Sequence, residues 1–179
     1  MPGFRRIGER EVWTGRLIQV ATGTFEGPGG DRFEREVVHH PGAVVVVPLD
    51  SGRRVVMVRQ YRAAIDAELL EVPAGKRDVH GEAPEVTAAR ELAEEVGLAA
   101  GRLDLLASFY NSPGFCDELT HLYLARDLEV VGTDLHGVEE QHMTVESVGL
   151  DDLPALVARG EIVDAKSIIG LSLARDLVG

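Results

Sequence analysis

The sequence has one cysteine, Cys116, only two lysines, few aromatics and no long apolar run. A single thiol closes no internal disulfide and supplies no multi-cysteine zinc site, which agrees with a reducing compartment. Apolar runs such as 43–47 fall far short of the roughly 20 residues that a membrane-spanning helix needs. The opening Met1-Pro2-Gly3-Phe4-Arg5-Arg6 leads into no apolar signal segment. The expectation is a cytoplasmic chain with no membrane partner. Positive charge is also scarce: 18 Lys and Arg face 30 Asp and Glu, a net −12 that repels DNA and RNA. The same field repels a phosphorylated metabolite, so a site for one must import positive charge, most simply as a divalent metal. Of the bases, only Lys76 and Lys166 are lysines. An arginine bias suits planar bidentate contacts, although codon composition produces it equally well. No G-x-x-x-x-G-K-[ST] loop and no G-x-G-x-x-G fingerprint is present, so kinase and dehydrogenase functions lose support. His39, His40, His80, His121 and His136 fall at no zinc-type spacing, and Cys116 has no base near it in sequence.

What is present describes an ordinary globular chain. Its 179 residues, 45% hydrophobic and 27% charged, suit one domain that buries most of its apolar side chains. Alternating or β-branched runs predict strands over 35–47, 54–58, 103–110, 118–125 and 143–148, with a further strand pair between Val12 and Phe25. The Gly27-Pro28-Gly29-Gly30-Asp31 segment is a turn, too short for a linker. Helices are expected over 84–96, where Pro84 suits a first turn and Gly97 a stop, over 152–159, and from Asp164 onward. No repeat or domain boundary stands out, which predicts one sheet flanked by a few helices.

On the 84–96 helix, Val86, Ala89, Ala93 and Val96 recur at helical spacing and are expected to face the core, with Leu92 at the edge. On the opposite side Glu91, Glu94 and Glu95 share an arc of about 100°. Like charges at i,i+3 and i,i+4 each cost about 0.2 to 0.5 kcal/mol, and anions near a helix C-terminus are further disfavoured. A hard cation removes both penalties, and Mg²⁺ accepts carboxylate oxygens while keeping positions open for substrate phosphates. The alternative is a solvated acidic face in which Arg90 pairs with Glu94 at i,i+4.

Gly75 to Glu82, seven residues, and then Arg90-Glu91-Leu92-Ala93-Glu94-Glu95-Val96-Gly97-Leu98 resemble the Nudix box, G-x5-E-x7-R-E-U-x-E-E-x-G-U with U aliphatic. Every specified residue is present. One extra residue separates Gly75 from Glu82, in the loop before the helix, and leaves the register of the glutamates untouched. Leu70 to Gly75, Arg59-Gln60-Tyr61-Arg62 and Ser112-Pro113-Gly114-Phe115 look like the ADP-ribose pyrophosphatase group, as does a proline fifteen residues beyond Leu98. The resemblance implies an α/β fold, an α/β/α sandwich around a mixed sheet with additional N-terminal strands. It implies one domain over 1–179, with about residues 1–40 engaged in a homodimer and helping to build the partner's substrate site.

By that resemblance Glu91 and Glu95 are the chief metal ligands for Mg²⁺, or for Mn²⁺ in its place. Glu94 is an additional or water-bridged ligand, and the Ala74 carbonyl a further oxygen. Arg90 and Glu82 are expected to orient the carboxylates and the loop. The family's general base is a glutamate on a later loop, which corresponds here to Glu139 or, one position on, Glu140, with His142 as a titratable neighbour. Arg62 and, less directly, Arg59 are expected to meet the diphosphate, or else to act as edge-strand charges. Glu71 either recognises the nucleoside or braces the turn at Pro73. Phe115, with Asp117 and Glu118, is expected at the terminal ribose, or Phe115 in the core. Trp13, Phe25 and Phe33 offer a stacking face for adenine or simple core packing. The implied reaction is metal-dependent hydrolysis of ADP-ribose to AMP and ribose 5-phosphate. The alternatives are a pyrophosphatase for another nucleoside diphosphate derivative, an NDP-sugar or dinucleotide, and a non-catalytic domain that senses ADP-ribose.

Overall fold

The stretch 43–47 is apolar without alternation because it is buried on both faces, as continuous hydrophobic strands are. It forms the centre of a computed structural model that describes residues 3–135 and 138–179; His136 and the Gly137 that begins the expected base loop lie outside the described residues.

The chain divides into two compact units, Met1–Gly42 with Phe109–Leu119, and Ala43–Ser108 with Thr120–Gly179. The first carries β1 (Arg5–Thr14), β2 (Gln19–Glu26) and β3 (Arg32–His39), an antiparallel sheet in that order. No local pattern marks this division, because it depends on segment 109–119 returning to β3. Val38 N donates to Phe115 O at 2.7 Å and Asp117 N to Val38 O at 3.1 Å. The expected strand over 35–47 is two strands: the chain leaves the ladder at His40-Pro41-Gly42, where proline offers no N–H, and starts β4 (Ala43–Pro48) in the second unit.

The second unit adds β5 (Arg54–Arg62), β6 (Ala67–Glu71), β7 (Ala74–Lys76) and α1 (Pro84–Val96). β8 (Leu98–Tyr110), β9 (Leu119–Val130), α2 (Val138–Gln141) and β10 (Thr144–Gly149) follow, then α3 (Leu153–Ala158) and α4 (Ala165–Val178). One sheet runs β7-β4-β9-β8 and another β10-β5-β6. β4 pairs parallel with β9 and antiparallel with β7, the mixed α/β arrangement expected. β6 and β7 are too short and too polar to show as strands in the sequence.

Val44 and Val46 pack with Ala88, Leu92 and Val96 of α1 in one cluster that includes Val58, Tyr123 and Ala125. From the other side α4 brings Gly170 so close that a Cβ there would meet Val47 Cγ2 at 2.9 Å. The helix register differs from the expected one: Leu92 is the centre of the buried stripe, while Val86 is 51% exposed and Ala89 exposed. Ala88, Leu92 and Val96 form one i,i+4 row, and Glu95 borders it, so the carboxylates flank the core instead of opposing it. Pro84 begins α1 and Gly97 ends it at φ 66, with its N–H on Ala93 O at 3.0 Å. Among the described residues no helix is long and apolar enough to cross a membrane.

Within the first unit His39 sits between two carboxylates, Nδ1 at 2.5 Å from Asp117 and Nε2 at 3.2 Å from Glu9. The Asp117 hydrogen bond raises its pKa above the ordinary 6.5, burial opposes this, and Glu9 adds to the rise. A raised folded-state value gives a contribution that is complete below the unfolded value and lost as pH climbs through the folded one. The melting temperature of wild type should therefore exceed that of His39→Gln most below about pH 6.5 and converge on it at higher pH. A difference that stays constant with pH would rule this contact out as the source.

Candidate active site

Four elements of the second unit converge on one cleft of about 480 Å³: the end of β5, β7 with the loop after it, the polar flank of α1, and α2. The segment before α2 is tied to α1, with Val131 N on Gly97 O at 2.9 Å and Asp134 N on Glu94 O at 3.1 Å. The stretch around Glu139 and Glu140, expected as a loop, is the one-turn helix α2, in which His142 Nδ1 lies 2.9 Å from the Val138 carbonyl. Glu139 is exposed and Glu140 half-buried. The cleft is lined by six carboxylates, Asp78, Glu91, Glu94, Glu95, Glu139 and Glu140, against three cations, Arg62, Lys76 and Arg90.

Glu95 is only 5% exposed, and its Oε2 accepts from Ala74 N at 3.1 Å. Burial pushes its carboxyl up to about 8; the Ala74 N–H opposes this, while the charges of Glu91 and Glu140 reinforce it. Burial likewise raises Glu91, against the pull of Arg90. The Glu91 carboxyl lies against Gly75, where any Cβ would overlap its Cδ. Arg90 spans three acids, 3.3 Å from Glu82, 2.9 Å from Glu91 and 2.8 Å from Glu94. Glu82 also accepts from Thr87 Oγ1 at 2.7 Å, which ties the preceding loop onto α1. The loop before α1 closes in a turn with Glu82 N on Val79 O at 3.2 Å.

Arg62 is gripped by Glu71, Nε to Oε1 at 2.8 Å and Nη2 to Oε2 at 2.6 Å. Glu71 is fully buried and stands off the cleft wall, behind Arg62. Lys166 of α4 donates to the same Glu71 Oε2 at 2.5 Å and to Asp164 at 2.7 Å. Burial pushes the Glu71 carboxyl up, but Arg62 and Lys166 outweigh it and hold it below the usual range. Arg59 turns to Glu146 of β10 at 2.6 Å and does not line the cleft.

Phe115 and Glu118 belong to the first unit. There Phe115 is 58% exposed beside a hollow of about 410 Å³ shared with Phe25, Tyr110 and Pro113, and Glu118 accepts from Asn111 at 2.9 Å. Phe25 stacks on Phe33 at 5.6 Å, and Trp13 is exposed. Sequence reading passed over Lys76 and Asp78 on the cleft and the Lys166, Asp164 and Ser167 group behind it. The signal was there: a chain that uses arginine almost everywhere keeps its two lysines at these two places.

Among the described residues no three His, Cys, Asp or Glu side chains stand converged as a ready metal-ligand set. Arg90 holds Glu91 and Glu94, and Glu95 faces the Ala74 N–H. The donors nevertheless fit a hard divalent cation in kind. They are carboxylate oxygens on one wall, one of them a buried acid whose charge needs an external partner, over a glycine that leaves room for Glu91.

Comparison with known proteins identifies the family and the fold. The NUDIX domain profile matches residues 38–169. An ADP-ribose pyrophosphatase of Bacillus subtilis (strain 168) is 38% identical over 163 residues, 91% of this chain and 88% of its own. An ADP-ribose pyrophosphatase of Mycobacterium tuberculosis is 40% identical over 168 residues, 94% and 81% of the two chains. A crystal structure of an ADP compounds hydrolase shares the fold at TM-score 0.85 and 23% identity, covering 99% of this chain and 95% of that one.

If Gly75 is the cradle for Glu91, Gly75→Ala should displace that carboxylate and weaken Mn²⁺ binding at least about tenfold in calorimetric titration. The protein should stay folded, with a stability loss of about 1–3 kcal/mol. Unchanged Mn²⁺ affinity would show that Glu91 does not need the space.

Proposed function

The chain belongs to the NUDIX domain family and is a Nudix hydrolase, and from that premise we propose that it hydrolyses ADP-ribose to AMP and ribose 5-phosphate. The observation that carries this reading is the imbalance of the cleft, six carboxylates to three cations, which would repel a diphosphate unless divalent charge entered with it. The two ADP-ribose pyrophosphatases of similar length support the choice of substrate.

In this reading Glu91 and Glu95, with Glu94 and the Ala74 carbonyl, hold the cation, Mg²⁺ or Mn²⁺. A bound divalent cation supplies charge compensation for the diphosphate and lowers the pKa of an attacking water. Arg90 and Glu82 keep the acidic wall in orientation, and Arg62 meets the non-bridging oxygens with its exposed edge. Water attacks one phosphorus, the bond from that phosphorus to the bridging oxygen breaks, and the water's proton passes to a carboxylate of α2. Both acids line the cleft, and Glu140, half-buried where Glu139 is exposed, is the one taken as the base. The homodimer is supported by β1, exposed along all its residues, with Ile7 36%, Val12 55% and Trp13 55% exposed on a strand that needs a cover. Phe115 and Glu118 would then serve the terminal ribose, and Phe25, Phe33 and Trp13 the base.

Glu95→Gln should lower kcat by about 10²-fold or more with the fold intact, and near-normal turnover would sink the ligand role. Glu140→Gln should cost about 10² to 10⁴ in kcat and Glu139→Gln far less, and the reverse order would move the base to Glu139. Incubation with ADP-ribose, ADP-glucose, NAD and diadenosine polyphosphates, with and without Mg²⁺, decides the substrate. Metal-dependent AMP release should be fastest from ADP-ribose. A faster NDP-sugar or dinucleotide would replace it, and no release from any would leave a binding domain.

A further inference from the structure

We propose that Lys166 is a positioning residue for the diphosphate: by sharing the buried Glu71 carboxylate with Arg62, it keeps Arg62 fixed in direction yet positive toward the cleft. The inference rests on the reading that Arg62 meets the diphosphate.

The problem it answers is electrostatic. Glu71 is fully buried and grips Arg62 through a two-point fork, which sets the plane of the guanidinium. Alone, that pair is neutral, and a neutralised arginine among six cleft carboxylates has little left for an anion. Lys166 Nζ, on a side chain only 17% exposed, adds a second cation to the same Glu71 oxygen at 2.5 Å. The group of Arg62, Glu71 and Lys166 thereby carries one net positive charge, with Arg62 as its member on the cleft.

Asp164, which also accepts from Lys166 and whose charge reaches Arg62, reduces this surplus, but its position at the start of α4 limits the reduction. Its second oxygen accepts from Ser167 N at 2.9 Å and Ser167 Oγ at 2.6 Å, so it caps the first turn of α4, where the helix dipole offsets an anion. Ser167 Oγ in turn accepts from Val72 N at 2.9 Å, which fastens the residue next to Glu71 to the same turn. The task also explains a lysine in a chain that uses arginine sixteen times, counting 18 bases less two lysines. A compact ammonium reaches two carboxylates from one point, where a planar fork would compete with Arg62 for Glu71.

The test is steady-state kinetics with ADP-ribose and Mg²⁺ on Lys166→Met, Lys166→Arg, Arg62→Ala and the Arg62→Ala/Lys166→Met double variant. Calorimetric binding of the α,β-methylene analogue of ADP-ribose accompanies it. Lys166→Met should raise KM and weaken analogue binding about tenfold, with kcat within about twofold, and Lys166→Arg, which keeps the charge but competes with Arg62 for Glu71, should recover only part of the loss. The double variant should be no worse than Arg62→Ala alone, because Lys166 acts through Arg62. A folded Lys166→Met with unchanged KM, or losses that simply add in the double variant, would overturn the proposal. Should the Met variant not fold, Lys166→Gln, which retains a donor and removes the charge, carries the same expectations. Wild-type KM in Arg62→Ala would instead remove the reading beneath it, an outcome distinct from failure at Lys166.

Discussion

A carboxylate pressed into the side of an apolar core is the constraint around which the cleft is organised. Glu95 borders the row of Ala88, Leu92 and Val96, so the helix that packs β4 and the helix that lines the cleft are the same element with the same register. Any shift that relieved Glu95 would rotate Leu92 out of the core. The apolar packing therefore holds an acid where water alone would not keep it, and its raised pKa measures that opposition.

Around that acid the positive groups divide the work by reach. Arg90 lies along the helix and keeps Glu82, Glu91 and Glu94 from repelling one another apart. Of the two readings that the sequence left open for the acidic face, the i,i+4 pair of Arg90 and Glu94 is formed, on the wall of a cleft. Arg62 stands on the facing strand, held from behind by Glu71. The geometry separates Arg90, which steadies the acidic wall, from Arg62, which Glu71 holds on the cleft.

Much of the second unit was legible in the residues themselves. Pro84 and Gly97 bracket α1 where they should, and the dense run from Arg90 to Leu98 fixes which helix carries the acids. The core face of that helix was misjudged, because Val86 and Ala89 satisfy a periodicity as well as Ala88 and Leu92 do, and only the sheet decides between them. The break after His39 escaped notice because valines continue on both sides of Pro41 and Gly42. Glu71 shows the wider limit: its sequence neighbours cannot say whether it faces a ligand or the interior, since Lys166, which answers the question, lies 95 residues away.

That separation sets an order of events for the folding chain. Glu71 enters the interior with β6, yet one of its two counter-charges comes from the first turn of α4. Until that turn docks, the acid can be buried only at the expense of Arg62 or by taking up a proton. Completion of this buried ion group is thereby coupled to docking of α4, whose first turn supplies Lys166 and whose Leu171 and Ala174 complete the core beside it.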